Sequence, residues 1–442
     1  MSENCLYLNI FAPRFTRTWN RKKVMVHIHG GYFASYSGSG TVFDGEEMAR
    51  NGDVIVININ YRLGAFGFLY TGDDEDDITG NYGYRDIIQS LQWIRRNIRY
   101  FGGSGRDITL LGDSAGAMAI LALKSSDETK NLFKRGILQS VPLGIQFQTK
   151  ERASVLGEAF VQSLGCQVND TNCVKNKEAD EIVAAMDAAT SDVFTSLQQQ
   201  TFIESFMRWT PIIDNELIPE NLLSAANSSL IQSGTYLMGT TTQELLPHIY
   251  NNIPTPVDTN TMYAILGLWL GQTFSSELIP KYIDDLTKSD FRTELGYMLT
   301  DYMFTCPTRY LARSLMDSNK VWMYVFDQIK PIYYESSSTD PYCGNVVCHT
   351  AEIGFVFNSF YATGTPLTLE EDFLRRKISR YWTAFINEGT PNGRSCGTEC
   401  NQVWPQYTNS LKSLELKAEE HDLISDFRGD LCDIWDRFGY TY

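Results

Sequence analysis

The sequence predicts an α/β fold in which a mostly parallel central sheet is covered by helices on both faces. Three observations carry this. Apolar, β-branched runs at residues 23–29, 54–61 and 108–111 alternate with helical stretches around 46–50 and over 84–99, and strands that alternate with helices build parallel sheets. Further apolar runs at 236–239 and 321–326 extend the same sheet. A chain of 442 residues, 43% hydrophobic and 13% aromatic, has enough apolar surface to bury a large core.

Taken in order, KVMVHIH (23–29) and VIVININY (54–61) are near-continuous apolar runs, as expected of strands buried on both faces, and a Gly-rich loop and the short helix around 46–50 separate them. Residues 84–99 repeat apolar positions at helical spacing. Residues 107–123, DITLLGDSAGAMAILAL, join a strand to a helix of small residues through Gly-x-Ser-x-Gly. There Gly112 and Gly116 let strand and helix approach, and a sharp turn pushes Ser114 outward as a candidate nucleophile. Residues 153–206 read as a helical insertion. No internal repeat, low-complexity linker or domain boundary interrupts the pattern, so residues 1–442 are expected to form one domain.

Charge excludes some partners. Thirty-seven basic against 53 acidic residues give a net charge of −16, which disfavours nucleic acid and anionic membrane surfaces; the acidic run at 73–77 reads as a solvated loop. No apolar stretch approaches the roughly 18 residues of a membrane span. The N-terminus, MSENCLYLNI, lacks the charged-then-apolar order of a signal peptide, so the chain is read as either cytoplasmic or separated from its targeting segment. The nine cysteines favour secretion. Cys166 with Cys173, Cys343 with Cys348 and Cys396 with Cys400 lie close enough to read as local disulfides, and their spacings miss the paired C-x2-C of zinc sites. Sequons at Asn169 and Asn227 are compatible with a secreted glycoprotein.

A nucleophilic Ser needs a base, and the base needs a carboxylate to orient it; on this strand-turn-helix frame both should follow the Ser in the chain. Of the three histidines beyond the middle of the chain, His421 in KAEEHD reads as a solvated helix residue and His248 as a helix neighbour of Glu244. His349, before the apolar run AEIGFVF, is the candidate base. Glu244 in LMGTTTQELL is the candidate acid, with Asp214 in PIIDNELIP its rival and better suited to a turn. Backbone donors for an oxyanion are expected from Ala115 and from Gly30 and Gly31 of HGGYF.

The stretches SENCLYLNIFAP, VMVHIHGGYF, VININYRLGAFGFL, GNYGYRDIIQSLQWIRRNI, FGGSGRDITLLGDSAGA, LFKRGILQS, PIIDNELIP, GTTTQE, CHTAEIGFVF and YWTAFINEGTPNG occur in that order across nearly the whole chain. With them the sequence resembles the type-B carboxylesterases, the cholinesterase-like branch of the α/β-hydrolases. The resemblance implies a Ser-His-Glu triad of Ser114, His349 and Glu244. It places oxyanion donors on Gly30 or Gly31, on Tyr32 and on Ala115, and a serine beside the acid at Ser140. It implies disulfides Cys166–Cys173 and Cys306–Cys432, with Cys343–Cys348 and Cys396–Cys400 as additions of this chain.

The chain departs from the family pattern at Tyr32, where many members have Gly or Ala, at Thr350, where Gly usually follows the His, and at Asp113, which replaces a Glu. The family's segment before SENCLYLN, with the partner of Cys5 and the aromatic residue that holds choline, is absent, which is read as a truncation or a misplaced start. Cholinesterase activity therefore finds no support. The implied reaction is hydrolysis of a small-molecule ester through an acyl-enzyme, without metal or organic cofactor, in a secreted protein that is a candidate homodimer. The alternatives are a non-catalytic adhesion or structural member, and a lipase or amidase on the same fold.

Overall fold

The computed structural model describes residues 2–14, 21–129, 131–189, 207–331, 341–400, 402–419 and 422–440. Its centre is a nine-stranded sheet. Strands β1 (Leu8–Phe11), β2 (Lys22–Ile28), β3 (Ile55–Ile59), β4 (Gly103–Asp113) and β5 (Arg135–Gln139) come from the first third of the chain. Strands β8 (Thr235–Thr241), β9 (Lys320–Phe326), β10 (Lys412–Leu416) and β11 (Leu423–Ser425) complete it, while β6 (Gln148–Thr149) and β7 (Ile212–Ile213) pair separately. The order is β1-β3-β2-β4-β5-β8-β9-β10-β11; only the outermost pairs, β1 with β3 and β10 with β11, are antiparallel.

Both faces of the sheet are buried, as the continuous apolar runs require. Val24, Val26 and Ile28 pack on one face with Tyr84, Ile87, Leu91 and Ile94 of the helix Tyr82–Asn97. Met25, between them, points to the other face, where Tyr381, Trp382 and Phe385 of the helix Leu369–Glu388 close the core. Side chains alternate across a strand, so this odd–even split follows from the pleat. The helix Ala115–Ser125 is buried along its whole length, consistent with a composition apolar all round.

Strands β2, β3, β4, β8 and β9 coincide with the runs read from the sequence. β5, which carries the Ser140 turn at its end, was not anticipated: its five residues, RGILQ, begin with a charge and a glycine. The anticipated insertion contains the helices Lys150–Ser163, Thr171–Lys175 and Ala179–Ala189; residues 190–206 lie outside the described residues.

The parallel register brings the carboxyl ends of the central strands together. Asp113 at the end of β4 sits opposite Gln139 of β5, and Gln139 opposite Gly239 of β8. The ladder runs one residue further, as the Ser114 N–H donates to the Gln139 carbonyl and the Ser140 N–H to the Gly239 carbonyl, both at 2.8 Å. In open α/β sheets ligands bind beyond these strand ends.

Candidate active site

Ser114 stands between β4 and the helix Ala115–Ser125 with φ 54° and ψ −122°, a conformation that costs a non-Gly residue of order 1–3 kcal/mol. Its glycine neighbours make the turn passable. A Cβ on Gly116 would lie 1.9 Å from the Ile28 carbonyl oxygen, and one on Gly112 would lie 2.5 Å from the Gly116 carbonyl carbon. Close packing of β4, its helix and β2 therefore thrusts Ser114 into a cavity of about 360 Å3 that Glu244 and His349 also line.

Glu244 follows β8 by three residues and is buried. Its Oε1 accepts the Thr241 N–H at 2.7 Å, and its Oε2 accepts from His349 Nδ1 at 2.6 Å. This leaves Nε2 as the basic nitrogen of the neutral ring. Burial pushes the imidazole pKa down, but the carboxylate of Glu244 more than offsets it, so the net shift is upward from the ordinary value; Glu352 and Asp113 act in the same direction. The Phe304 ring packs 5.1 Å from the imidazole.

Asp113 organises the loop opposite. Its Oδ1 accepts from His27 Nε2 at 2.9 Å, and its Oδ2 accepts the Gly30 N–H at 3.1 Å. Gly30 thus drops out of the oxyanion donors anticipated from the sequence, because its N–H is already committed. A Cβ there would also collide with Asp113 Oδ2 at 2.6 Å. Gly31, Tyr32 and Ala115 remain. Gly31, at φ 99°, and Tyr32, at φ 59°, line the cavity. Ala115 opens a helix, where the first N–H groups have no intrahelical acceptor.

The Ser140 hydroxyl, implied beside the acid, is buried with no hydrogen-bond partner among the described residues; the bond to Glu244 comes from Thr241 instead. Asp214 is the turn carboxylate its sequence suggested, since Oδ1 accepts from the N–H groups of Glu216, Leu217 and Ile218. His248 lies on the helix Leu246–Asn252 and lines the cavity, whereas His421 lies outside the described residues.

Three groups near the site escaped sequence reasoning. His27 and His29 precede the Ser, outside the chain order expected of a base, and both are buried. Burial lowers the pKa of His29 to about 4, keeping it neutral, with Nδ1 donating to the Gly30 carbonyl at 2.8 Å. Glu352 is buried, accepts from Gln139 Nε2 at 3.0 Å and from the Tyr324 hydroxyl at 3.3 Å, and is raised to about 7 by burial and then by Glu244. A carboxylate opening the apolar run EIGFVF was the available signal.

Thr350 has φ 67°, the conformation that suits the Gly the resemblance implies there: a β-branched residue in the left-handed region costs roughly 1–2 kcal/mol. Thr350→Gly is expected to raise stability by about 1 kcal/mol, after the greater freedom of Gly in the unfolded chain is subtracted. A higher denaturation midpoint at unchanged slope would register it; an unchanged or lower midpoint would show that the turn is unstrained.

All four anticipated disulfides are present, Cys166–Cys173, Cys306–Cys432, Cys343–Cys348 and Cys396–Cys400, and Cys5 is unpaired.

Comparison with known proteins places the chain in a family. The family model described as "Carboxylesterase family" matches residues 1–435. The "Crystal protein" of Dictyostelium discoideum is 30% identical over 447 residues, spanning 100% of this chain and 78% of that protein. The para-nitrobenzyl esterase of Bacillus subtilis (strain 168) is 30% identical over 432 residues, 96% of this chain and 81% of the esterase. A solved structure titled PNB esterase superposes with a TM-score of 0.80 at 28% identity, covering 98% of this chain and 85% of the other.

Proposed function

The chain belongs to the carboxylesterase family and is a carboxylic-ester hydrolase; we propose that it works through an acyl-enzyme formed on Ser114, with His349 as base and Glu244 as the acid that orients it. The observation that carries this reading is the 2.6 Å contact between Glu244 Oε2 and His349 Nδ1 in the cavity that Ser114 enters. Ser114 Oγ attacks the ester carbonyl while His349 Nε2 takes its proton, and Glu244 stabilises the imidazolium that forms. The N–H groups of Gly31, Tyr32 and Ala115 serve the oxyanion. His349 returns the proton to the departing alcohol, and water activated by the same nitrogen then releases the acid.

Because a protonated His349 cannot accept the Ser114 proton, activity falls as pH drops through the raised imidazole pKa.

The cavity walls set the substrate. Val42, Phe43, Leu245 and Ile353 supply apolar surface, and the Tyr32 ring shares the lining with them and takes up space that Gly or Ala would leave open. Short acyl chains are therefore favoured. On p-nitrophenyl esters, kcat/KM should rise about fourfold per added methylene from acetate to butyrate, in line with ~0.8 kcal/mol per buried CH2, and then fall toward octanoate. Tyr32→Gly should move the maximum to longer chains. A maximum that stays in place would exclude Tyr32 as the limit.

Four disulfides support a secreted protein, since such bonds persist in oxidising compartments. No helix among the described residues is long and apolar enough to cross a membrane. Of the sequons, Asn169 is exposed, whereas the Asn227 amide is engaged by Tyr310 and Ser314. A folded chain inert toward every ester would instead support the non-catalytic alternative of an adhesion or structural member.

A further inference from the structure

We propose that Gln243 and the Cys343–Cys348 disulfide are positioning elements for the base, clamping the loop that carries His349 against the loop that carries Glu244. The inference rests on the triad assignment above.

His349 lies in neither helix nor strand, so its place depends on what holds its loop. Gln243 pairs with Val347 twice. The Gln243 N–H donates to the Val347 carbonyl at 3.2 Å, and the Val347 N–H donates to Gln243 Oε1 at 2.9 Å. The other end of the Gln243 amide donates to the Tyr297 hydroxyl at 2.9 Å, anchoring it to the helix Arg292–Thr300. Two residues on, the His349 N–H donates to the Glu244 carbonyl at 3.3 Å. Cys348, between these contacts, is tied back to Cys343, and both cysteines line the cavity.

On the far side of His349 stands Thr350 at φ 67°. Strained residues persist only where their surroundings over-determine them. The clamp supplies that constraint, and its release lets Thr350 relax and carry the imidazole away from Glu244.

The disulfide also makes the site sensitive to an external dithiol entering the cavity. One thiolate attacks Cys343 Sγ, expelling the Cys348 thiolate. The second thiol of the reagent resolves the mixed disulfide, so the dithiol leaves as a cyclic disulfide and two electrons pass to the cysteines.

The test compares wild type, Gln243→Met, the double variant Cys343→Ser/Cys348→Ser and wild type treated with dithiothreitol. Two readouts are used: ester hydrolysis across pH, and an NMR titration of the His349 ring, which requires no turnover. Expected are a 10- to 100-fold fall in kcat with KM within threefold, and a lower His349 pKa as Glu244 recedes from a ring that also faces Glu352 and Asp113. The double variant should start at the reduced level and lose nothing more to dithiothreitol. Adding Thr350→Gly to Gln243→Met should restore part of the loss. Variants that keep both kcat and the His349 titration of wild type would overturn the clamp. If wild type itself hydrolyses no ester, the triad assignment fails, while the NMR titration still decides whether Gln243 and the disulfide hold His349.

Discussion

Replacing Ser114 with alanine is expected to leave a folded protein whose kcat for ester hydrolysis is lower by about 10⁵–10⁶-fold, the scale on which removal of a triad nucleophile acts. Folding should survive because the turn is imposed from outside the side chain. Gly112 and Gly116 permit the approach of β2, β4 and the following helix, and the Ser114 backbone is held by its bond to Gln139. Alanine at φ 54° carries much the same backbone cost as serine. What disappears is the oxygen that forms the acyl-enzyme, and any remaining rate reflects the oxyanion donors and binding alone. Circular dichroism and the denaturation midpoint would establish folding beside the assay. A folded variant retaining a tenth of the activity would show that another group attacks the ester.

The second large effect belongs to the acid. Glu244→Gln is expected to lower kcat by about 10³–10⁴-fold, roughly 4–5 kcal/mol of transition-state stabilisation. The direction follows from two hydrogen bonds. The Thr241 N–H points at one oxygen of Glu244 and His349 Nδ1 at the other. A glutamine must turn its oxygen to the Thr241 donor, which leaves its NH2 facing Nδ1. His349 then accepts at Nδ1 and carries its proton on Nε2, where it cannot take the Ser114 proton. The acid limb of the rate profile should also move to lower pH. Burial disfavours the imidazolium, and the charge that chiefly opposed it is gone. Glu244→Asp should be milder. An unmoved limb in Glu244→Gln would mean that another carboxylate, Glu352 being the nearest alternative by its coupling to His349, sets the imidazole pKa.

Much of this site is legible in the chain because local chemistry and long-range topology agree there. Gly-x-Ser-x-Gly between an apolar run and a small-residue helix can satisfy its steric demands in few ways, and the glycine collisions at positions 112 and 116 are the physical form of that signal. Glu244 and His349 were harder, being 105 residues apart and joined only by the fold. Chain order and the apolar run after His349 narrowed the choice, and the resemblance to carboxylesterases fixed it. Other features depend on partners that no local pattern announces. Gly30 looked equivalent to Gly31 until Asp113, 83 residues away, claimed its N–H. Glu352 opens a run that reads as core, and its charge is a local signal whose meaning depends on bonds to Gln139 and Tyr324. Strand β5 is short and begins with charge, so its place in the centre of the sheet follows from its neighbours rather than from its own residues.

The most direct test is covalent labelling with a fluorophosphonate, which reacts with an activated serine and remains attached, followed by peptide mass analysis. One equivalent of label on the peptide that contains Ser114, taken up in step with the loss of ester hydrolysis and absent from Ser114→Ala, is the predicted result. Label on a different residue, or full hydrolysis persisting after Ser114 is labelled, would contradict the assignment of Ser114 as the nucleophile.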